Sequence, residues 1–287
     1  MNYLLPLYDN YIFKKVFTKD KEILLDLLNS FPQFQGRKKI TKIRILNPEI
    51  LGSKKKVKDT ILDIHAEDLS GSIFLIEMQT NSQEGFSKRI LFNWSKLYSM
   101  SLNKGKGYKE LPKVYSINFL NFSLIKKHSE YIYNFRILEN NHSEICLTED
   151  LEIIIIELPK LKSEFKDLTS ILEYWICLIR DTSKLEEAEM KTIMKKSNGL
   201  NKAVKEIKFI SLDKESRKLH AAKLNAERKY KQKNQAMYEK GIEKGIEKHR
   251  EDIALVMLSK NQPLDFISEI TSLSISQIKA LQKKVSK

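Results

Sequence analysis

The pattern of apolar and polar positions divides the chain into a strand-bearing part and a helical part. Residues Asn10 to Ser30 set Phe13, Val16, Phe17, Leu24, Leu25, Leu27 and Leu28 at helical spacing, with a break at Thr18-Lys19-Asp20. Thr41 to Leu46 alternates as a short strand, and 47–56 reads as a loop ending in Lys54-Lys55-Lys56. Two strand-like runs follow, Val57 to Glu67 and Ser72 to Thr80, around the turn signal Asp68-Leu69-Ser70-Gly71. A helix from Phe86 to Leu102 carries Ile90, Leu91, Trp94, Leu97, Tyr98 and Leu102 on one stripe. Strands resume at Lys113 to Phe119, Tyr131 to Leu138 and Glu152 to Leu158. The last is nearly all isoleucine, which suits a strand covered on both faces.

From Leu168 onward the period is helical. Leu172, Trp175, Ile176 and Ile179 make one apolar face, and a helix pair spans Leu185 to Phe209. A long polar helix covers Lys214 to Leu258. Two short ones, Pro263 to Ile270 and Ile275 to Lys284, close the chain, with Ser274 as the expected cap of the last. The expected architecture is α/β, with a mixed-sheet domain over residues 1–180 and a basic helical extension over 181–287.

Composition narrows this picture. With 287 residues, 41% of them apolar, the chain can bury a core, and global disorder is excluded. A formal charge of +14 suits a phosphate-rich partner, although a genome rich in A and T also produces lysine-rich proteins. Cys146 and Cys177 lie in no metal-ligand spacing, so two buried free thiols are expected rather than a disulfide or a zinc site. No signal peptide is expected at the N-terminus. No apolar run approaches the roughly 20 residues of a membrane helix, so a cytoplasmic protein without membrane contact is expected.

The chemistry concentrates in the hairpin. Asp63 interrupts the apolar run Ile61-Leu62-Asp63-Ile64, and Glu77 interrupts Leu75-Ile76-Glu77-Met78. A carboxylate in an apolar strand costs several kcal/mol unless it is paired or bound to a cation. A three-residue loop Leu69-Ser70-Gly71, with Gly71 left-handed, pairs Asp68 with Ser72 and therefore Asp63 with Glu77. Residues opposite each other share a face, with Cβ atoms roughly 4.5–5.5 Å apart, and Gln79 points the same way. A two-residue loop would instead turn Asp63 toward Ile76. Two such acids suit Mg²⁺ or Mn²⁺ between them, which can activate water against a phosphodiester. The residues alone leave equally open a structural pair, protonated or bridged to a lysine.

Asp63 followed by Glu77-Met78-Gln79 resembles the PD-(D/E)XK nuclease core, with Gln79 where that class often has lysine. The segments DNYIFKKVF (Asp9 to Phe17), ILLDLLNS, KDTILDIHAED, FLIEMQT and LEIIIIELPKL resemble, in order, the Rpn family of recombination-promoting nucleases over about residues 3 to 165. The resemblance implies a restriction-endonuclease-like core and bacterial, metal-dependent DNA endonuclease activity tied to recombination or mobile elements. Asp63 and Glu77 would hold the metal, and Gln79 would support the attacking water. Asp9 matches the acid that opens the family's first helix and is open to two readings, site acid or N-cap. His65 shares the parity of Asp63 and reads either as lining the site or as a satisfied strand histidine.

The remaining readings concern partners. Lys88 and Arg89 are candidate DNA contacts or part of a solvated helix face. The repeat KGIEKGIEK sets Gly241 and Gly245 four apart, a route to a homodimer through the C-terminal helices. Phe266, Ile267, Ile270, Ile275, Ile278 and Leu281 would close a small helix pair that either reads DNA or only packs. The competing function is a catalytically inactive nucleic-acid- or partner-binding protein on a nuclease fold.

Overall fold

In the computed structural model, residues 4–46, 50–51, 60–61, 64–82, 84–102 and 105–285 are described. The chain opens with α1 (Asn10–Lys19) and α2 (Lys21–Asn29). They are separated at Asp20, whose carboxylate accepts from the Glu22 amide at 2.9 Å and caps α2. The expected break between two helical patterns is therefore a capped junction. Next come β1 (Ile43–Leu46), β2 (Ile50–Leu51), β3 (Thr60–Ile61), β4 (Ile64–Asp68) and β5 (Ile73–Gln79). The stretch read as a loop thus contains a short strand, β2, which pairs with β3. After α3 (Phe86–Met100) come β6 (Val114–Leu120), β7 (Ile132–Phe135) and β8 (Leu151–Glu157), followed by α4 (Ile171–Asp181), α5 (Glu187–Met194) and α6 (Asn198–Leu212). The strand expected over Tyr131 to Leu138 is shorter, and Leu138 only makes an isolated bridge to Cys146.

Among the described residues, six strands form one mixed sheet in the order β1-β4-β5-β6-β8-β7. The neighbours β5, β6 and β8 run parallel, while β1, β4 and β7 join antiparallel. Side chains alternate between two apolar layers. Phe74, Ile76, Ile117, Phe119, Ile154 and Ile156 face a core built with α1, α2, α4, α5 and α6. Leu75, Val114, Ile153 and Ile155 face a smaller core under α3, formed by Phe86, Ile90, Trp94 and Leu97. Every residue of β8 is buried, as expected for a strand covered on both faces. The α3 stripe is slightly rotated from the expectation: Leu91 is half exposed, and Asn93 takes a buried place instead.

The chain divides into two compact units, Met1–His220 and Ala221–Lys287. The helices α5 and α6, which lie beyond the expected boundary at residue 180, pack into the main core. Asp26 on α2 accepts from Trp175 Nε1 of α4 at 3.0 Å and from Ser197 Oγ, the N-cap of α6, at 2.6 Å. Gly199 permits this approach, since a Cβ there would lie 2.2 Å from Asp26 Cβ.

The helix α7 (Lys214–Ser259) contains the division, and α8 (Leu264–Thr271) and α9 (Ile275–Val285) belong to the second unit. That unit buries Ala254, Ile267, Leu273, Ile278 and Leu281. Phe266, Ile270 and Ile275 are exposed rather than part of this small core, because α8 turns Ile267 and Thr271 inward. Ser274 caps α9 as expected, accepting from the Gln277 amide at 3.3 Å. Among the described residues nothing lies within 4 Å of where a Cβ would stand on Gly241 or Gly245, so no close packing there explains them. Both cysteines are free as expected, but Cys146 is only half-buried because it lies in the loop before β8, outside both cores.

Candidate active site

The hairpin β4–β5 positions the candidate acids. Gly71 adopts φ +84°, the Gly71 amide donates to Asp68 O at 3.2 Å, and the Asp68 amide donates to Ser72 O at 3.1 Å. This is the three-residue connection expected from the sequence. The ladder runs Glu67↔Ile73, Ala66↔Phe74, His65↔Leu75 and Ile64↔Ile76. Asp63, the next residue back, lies outside the described residues, as do Lys54, Lys55 and Lys56.

Glu77 stands in the row that starts with Ile73 and Leu75, beneath α3, and is 4% exposed. Gln79 is two residues on and half-buried; its Nε2 lies 3.3 Å from Glu77 Oε2, so the two side chains share a face and touch. From the facing helix, Asn93 Nδ2 donates to Glu77 Oε1 at 3.0 Å. Both carboxylate oxygens therefore accept a hydrogen bond from a neutral amide. The contrast with Glu157 is instructive. That acid, fully buried on β8, receives the backbone amides of Leu124 and Ile125 at 2.9 and 2.7 Å and meets Lys160 Nζ at 2.7 Å. Glu157 is a structural carboxylate with a cationic partner, whereas the partners of Glu77 include the amides of Gln79 and Asn93.

The family model for PD-(D/E)XK nuclease family transposases matches residues 6–240, well over half of the chain. The chain belongs to this family. In the PD-(D/E)XK nuclease family transposases, then, the expected α/β core is the mixed sheet described above, and the resemblance to the Rpn family holds. No curated protein and no solved structure matches the chain.

Within this PD-(D/E)XK core, Asp9 is 4% exposed at the start of α1. Its Oδ1 accepts from the Tyr11 amide at 2.9 Å, as an N-cap does, and its Oδ2 lies 3.1 Å from His220 Nδ1. The N-cap reading is thus realised, and His220, which the sequence does not single out, supplies a second partner. His65 is buried opposite Leu75 on the α3 side of β4. Lys88 is exposed at the start of α3, and the Arg89 guanidinium lies over the Phe86 ring at 4.9 Å. Asn118 stands beside Glu77 in the ladder, but its amide turns to Ser116 and Ile154.

Asn93 is the neighbour of Glu77 that sequence reading missed. Its signal was present: a lone amide set between Ile90, Trp94 and Leu97 on an otherwise apolar stripe. Among the described residues no group of three or more His, Cys, Asp or Glu side chains is gathered. The groups around Glu77 are nonetheless of the right class for a hard divalent cation. Two carboxylate oxygens and the carbonyl oxygens of two amides are all oxygen donors, and Asn93 Oδ1 is buried without a hydrogen-bond partner. At the other end of β5, a cleft of about 630 Å³ is lined by Arg37, Lys38, Lys39, Lys42, Lys113 and Arg136. Lys113 and Arg136 already face Glu149 and Glu152 there, whereas the run from Arg37 to Lys42 supplies further positive charge. No helix among the described residues is long and apolar enough to cross a membrane.

Proposed function

We propose that the protein is a divalent-metal-dependent endonuclease that hydrolyses DNA phosphodiester bonds with little sequence specificity, in the cytoplasm of a bacterium, in the service of recombination or mobile elements. The observation that carries this is Glu77, a buried carboxylate at the end of a central strand, held by amides beside a hairpin of three-residue register. Each described pair of that hairpin sums to the same register. Carried one residue further, it would set Asp63 against Glu77, and this pair is the proposed seat of Mg²⁺ or Mn²⁺. The cation would supply a Lewis acid for the phosphoryl oxygens and a lowered pKa for water.

The protein's own groups would divide the remaining work. Gln79 cannot act as a charged base, but its amide, 3.3 Å from Glu77 Oε2, would orient the water together with Glu77. Asp9 is a further candidate acid. Lys88, exposed at the start of α3, and Arg89 are candidate phosphate contacts. The net charge of +14 and the Arg37–Lys42 run favour DNA as the partner through phosphate contacts. Self-association through the C-terminal helices is supported by the exposed stripe Tyr238, Ile242 and Ile246 beside Gly241 and Gly245, and sedimentation over a concentration series tests it.

Cleavage of supercoiled plasmid by the wild type and Asp63→Ala, with Mg²⁺ and with EDTA, tests the enzymatic reading. Nicking by the wild type in Mg²⁺ alone, lost at least 100-fold in Asp63→Ala, is expected from removal of a metal-holding acid. DNA binding without cleavage by the wild type would instead favour an inactive nucleic-acid-binding protein.

A further inference from the structure

Asn93 is 2% exposed on the face of α3 that covers the sheet, among Phe86, Ile90, Trp94 and Leu97. A polar side chain at such a place is retained only where its hydrogen-bonding groups are used. One of them is used: Nδ2 donates to Glu77 Oε1 at 3.0 Å. This contact also fixes the plane of the carboxamide, because the reverse orientation would bring two acceptors together. Oδ1, on the same carboxamide carbon as the Nδ2 that meets Glu77, is shielded from solvent. Among the described residues it has no donor. Isoleucine or leucine at this position would leave no orphan acceptor, so the carbonyl oxygen of the amide carries a desolvation cost.

We propose that Asn93 is a positioning residue for a hydrated divalent cation at Glu77, with Nδ2 aiming the carboxylate and Oδ1 accepting a hydrogen bond from a water of the cation's hydration sphere. This rests on the reading of Glu77 as a cation-holding acid. Magnesium-class ions keep several waters when bound by few carboxylates, and those waters are strong donors that need acceptors. The buried carbonyl oxygen of an amide is such an acceptor, and outer groups of this kind commonly contribute 10–100-fold to metal affinity. The cation would pair Asn93 Oδ1 with the donors that it brings.

The test is Mn²⁺ binding to the full-length protein without DNA, read by the electron paramagnetic resonance signal of the free ion and by calorimetry. Wild type, Asn93→Leu, Asn93→Ala, Asn93→Asp and Glu77→Gln are compared, together with their melting temperatures in EDTA. The expected result is loss of the site in Glu77→Gln and about 10-fold weaker Mn²⁺ binding in Asn93→Leu and Asn93→Ala. The metal-free melting temperature of Asn93→Leu should be no lower than that of the wild type. Asn93→Asp keeps an oxygen acceptor but sets a second acceptor against Glu77 Oε1 in place of the Nδ2 donor, so its metal-free melting temperature should fall below that of the wild type and recover when Mn²⁺ is added. Wild-type affinity in both Asn93→Leu and Asn93→Ala, with binding lost in Glu77→Gln, overturns the role of Asn93 alone. Wild-type affinity in Glu77→Gln overturns the cation site and this inference with it.

Discussion

The carboxylate of Asp9 and the imidazole of His220, 211 residues apart in sequence, meet at 3.1 Å where both are more than nine-tenths buried. The contact joins the cap of the first helix to the first turns of α7. Lys15 reinforces this junction, reaching Ser216 Oγ at 3.0 Å and Asp213 at 3.6 Å. Leu5 does so as well, its amide donating to Ser211 Oγ at 2.8 Å. The N-terminus of the chain is thereby held by residues from beyond position 210.

Asp9→Ala should lower the unfolding free energy by about 1–3 kcal/mol, because it removes a helix cap and leaves a buried imidazole without its acceptor. His220→Leu should cost a similar amount. Urea titrations of both single variants and the double variant should return a coupling of about 0.5–3 kcal/mol; strict additivity would mean that the contact carries no energy. A further variant, Asp9→Asn, separates the two readings of Asp9. As a cap alone, Asp9→Asn keeps metal-dependent cleavage; as a site acid, it loses cleavage while the fold persists.

Gly71 sets the hairpin register on which the site depends. Its φ of +84° lies in the left-handed region, and nothing stands within 4 Å of an added Cβ, so the cost of a side chain is purely one of backbone strain. Gly71→Ala should destabilise by roughly 1–2 kcal/mol and Gly71→Asn by less, since asparagine tolerates this conformation. Denaturant midpoints measure both. An unchanged midpoint in Gly71→Ala would show that the loop adopts another turn at no cost.

Tyr98 ties α3 to the loop before β8 through a 2.7 Å hydrogen bond from its phenol to Asp150, which pushes the phenol pKa from 10.0 up to about 12. The raised value means that the folded state holds its proton after the unfolded chain has released it. The contribution to stability is therefore complete below pH 10 and declines as pH rises from 10 to about 12. Thermal melts across that window should show a shallower alkaline loss for Tyr98→Phe than for the wild type. Equal slopes would remove Tyr98 from the account. Burial also raises Tyr115 and Tyr131, so part of the loss should remain in the variant.

The two thiols differ in a way that alkylation reads directly. Burial pushes Cys177 up to about 11, whereas Cys146 is half-buried and donates to Thr148 O at 3.1 Å. Iodoacetamide at pH 8 should modify Cys146 in the native protein and both cysteines after unfolding, as peptide mass spectrometry resolves. Modification of native Cys177 at the rate of Cys146 would contradict its place in the core.

Part of the candidate site's geometry was legible in the chain. Glu77 and Gln79 share a face because strand geometry has a period of two, and Gly71 announced the turn that fixes their register. Asn93 was visible only as an anomaly, a polar residue inside an apolar helical stripe. A helical period says which face a residue occupies but not which strand that face covers. His220 was not legible at all: nothing local distinguishes one histidine in a long polar helix from another.

The sequence by itself determined most of the elements, the mixed α/β character and the hairpin turn, since these follow from periodicity, caps and turn residues over short distances. It also carried the family, through segments in a fixed order. The tertiary structure alone decided that α5 and α6 complete the main core, that Asp26 ties three helices together, and that Asn93 faces Glu77. Those are contacts between residues far apart in the chain, set by how whole faces pack, and no local pattern encodes which partner a buried polar group will meet.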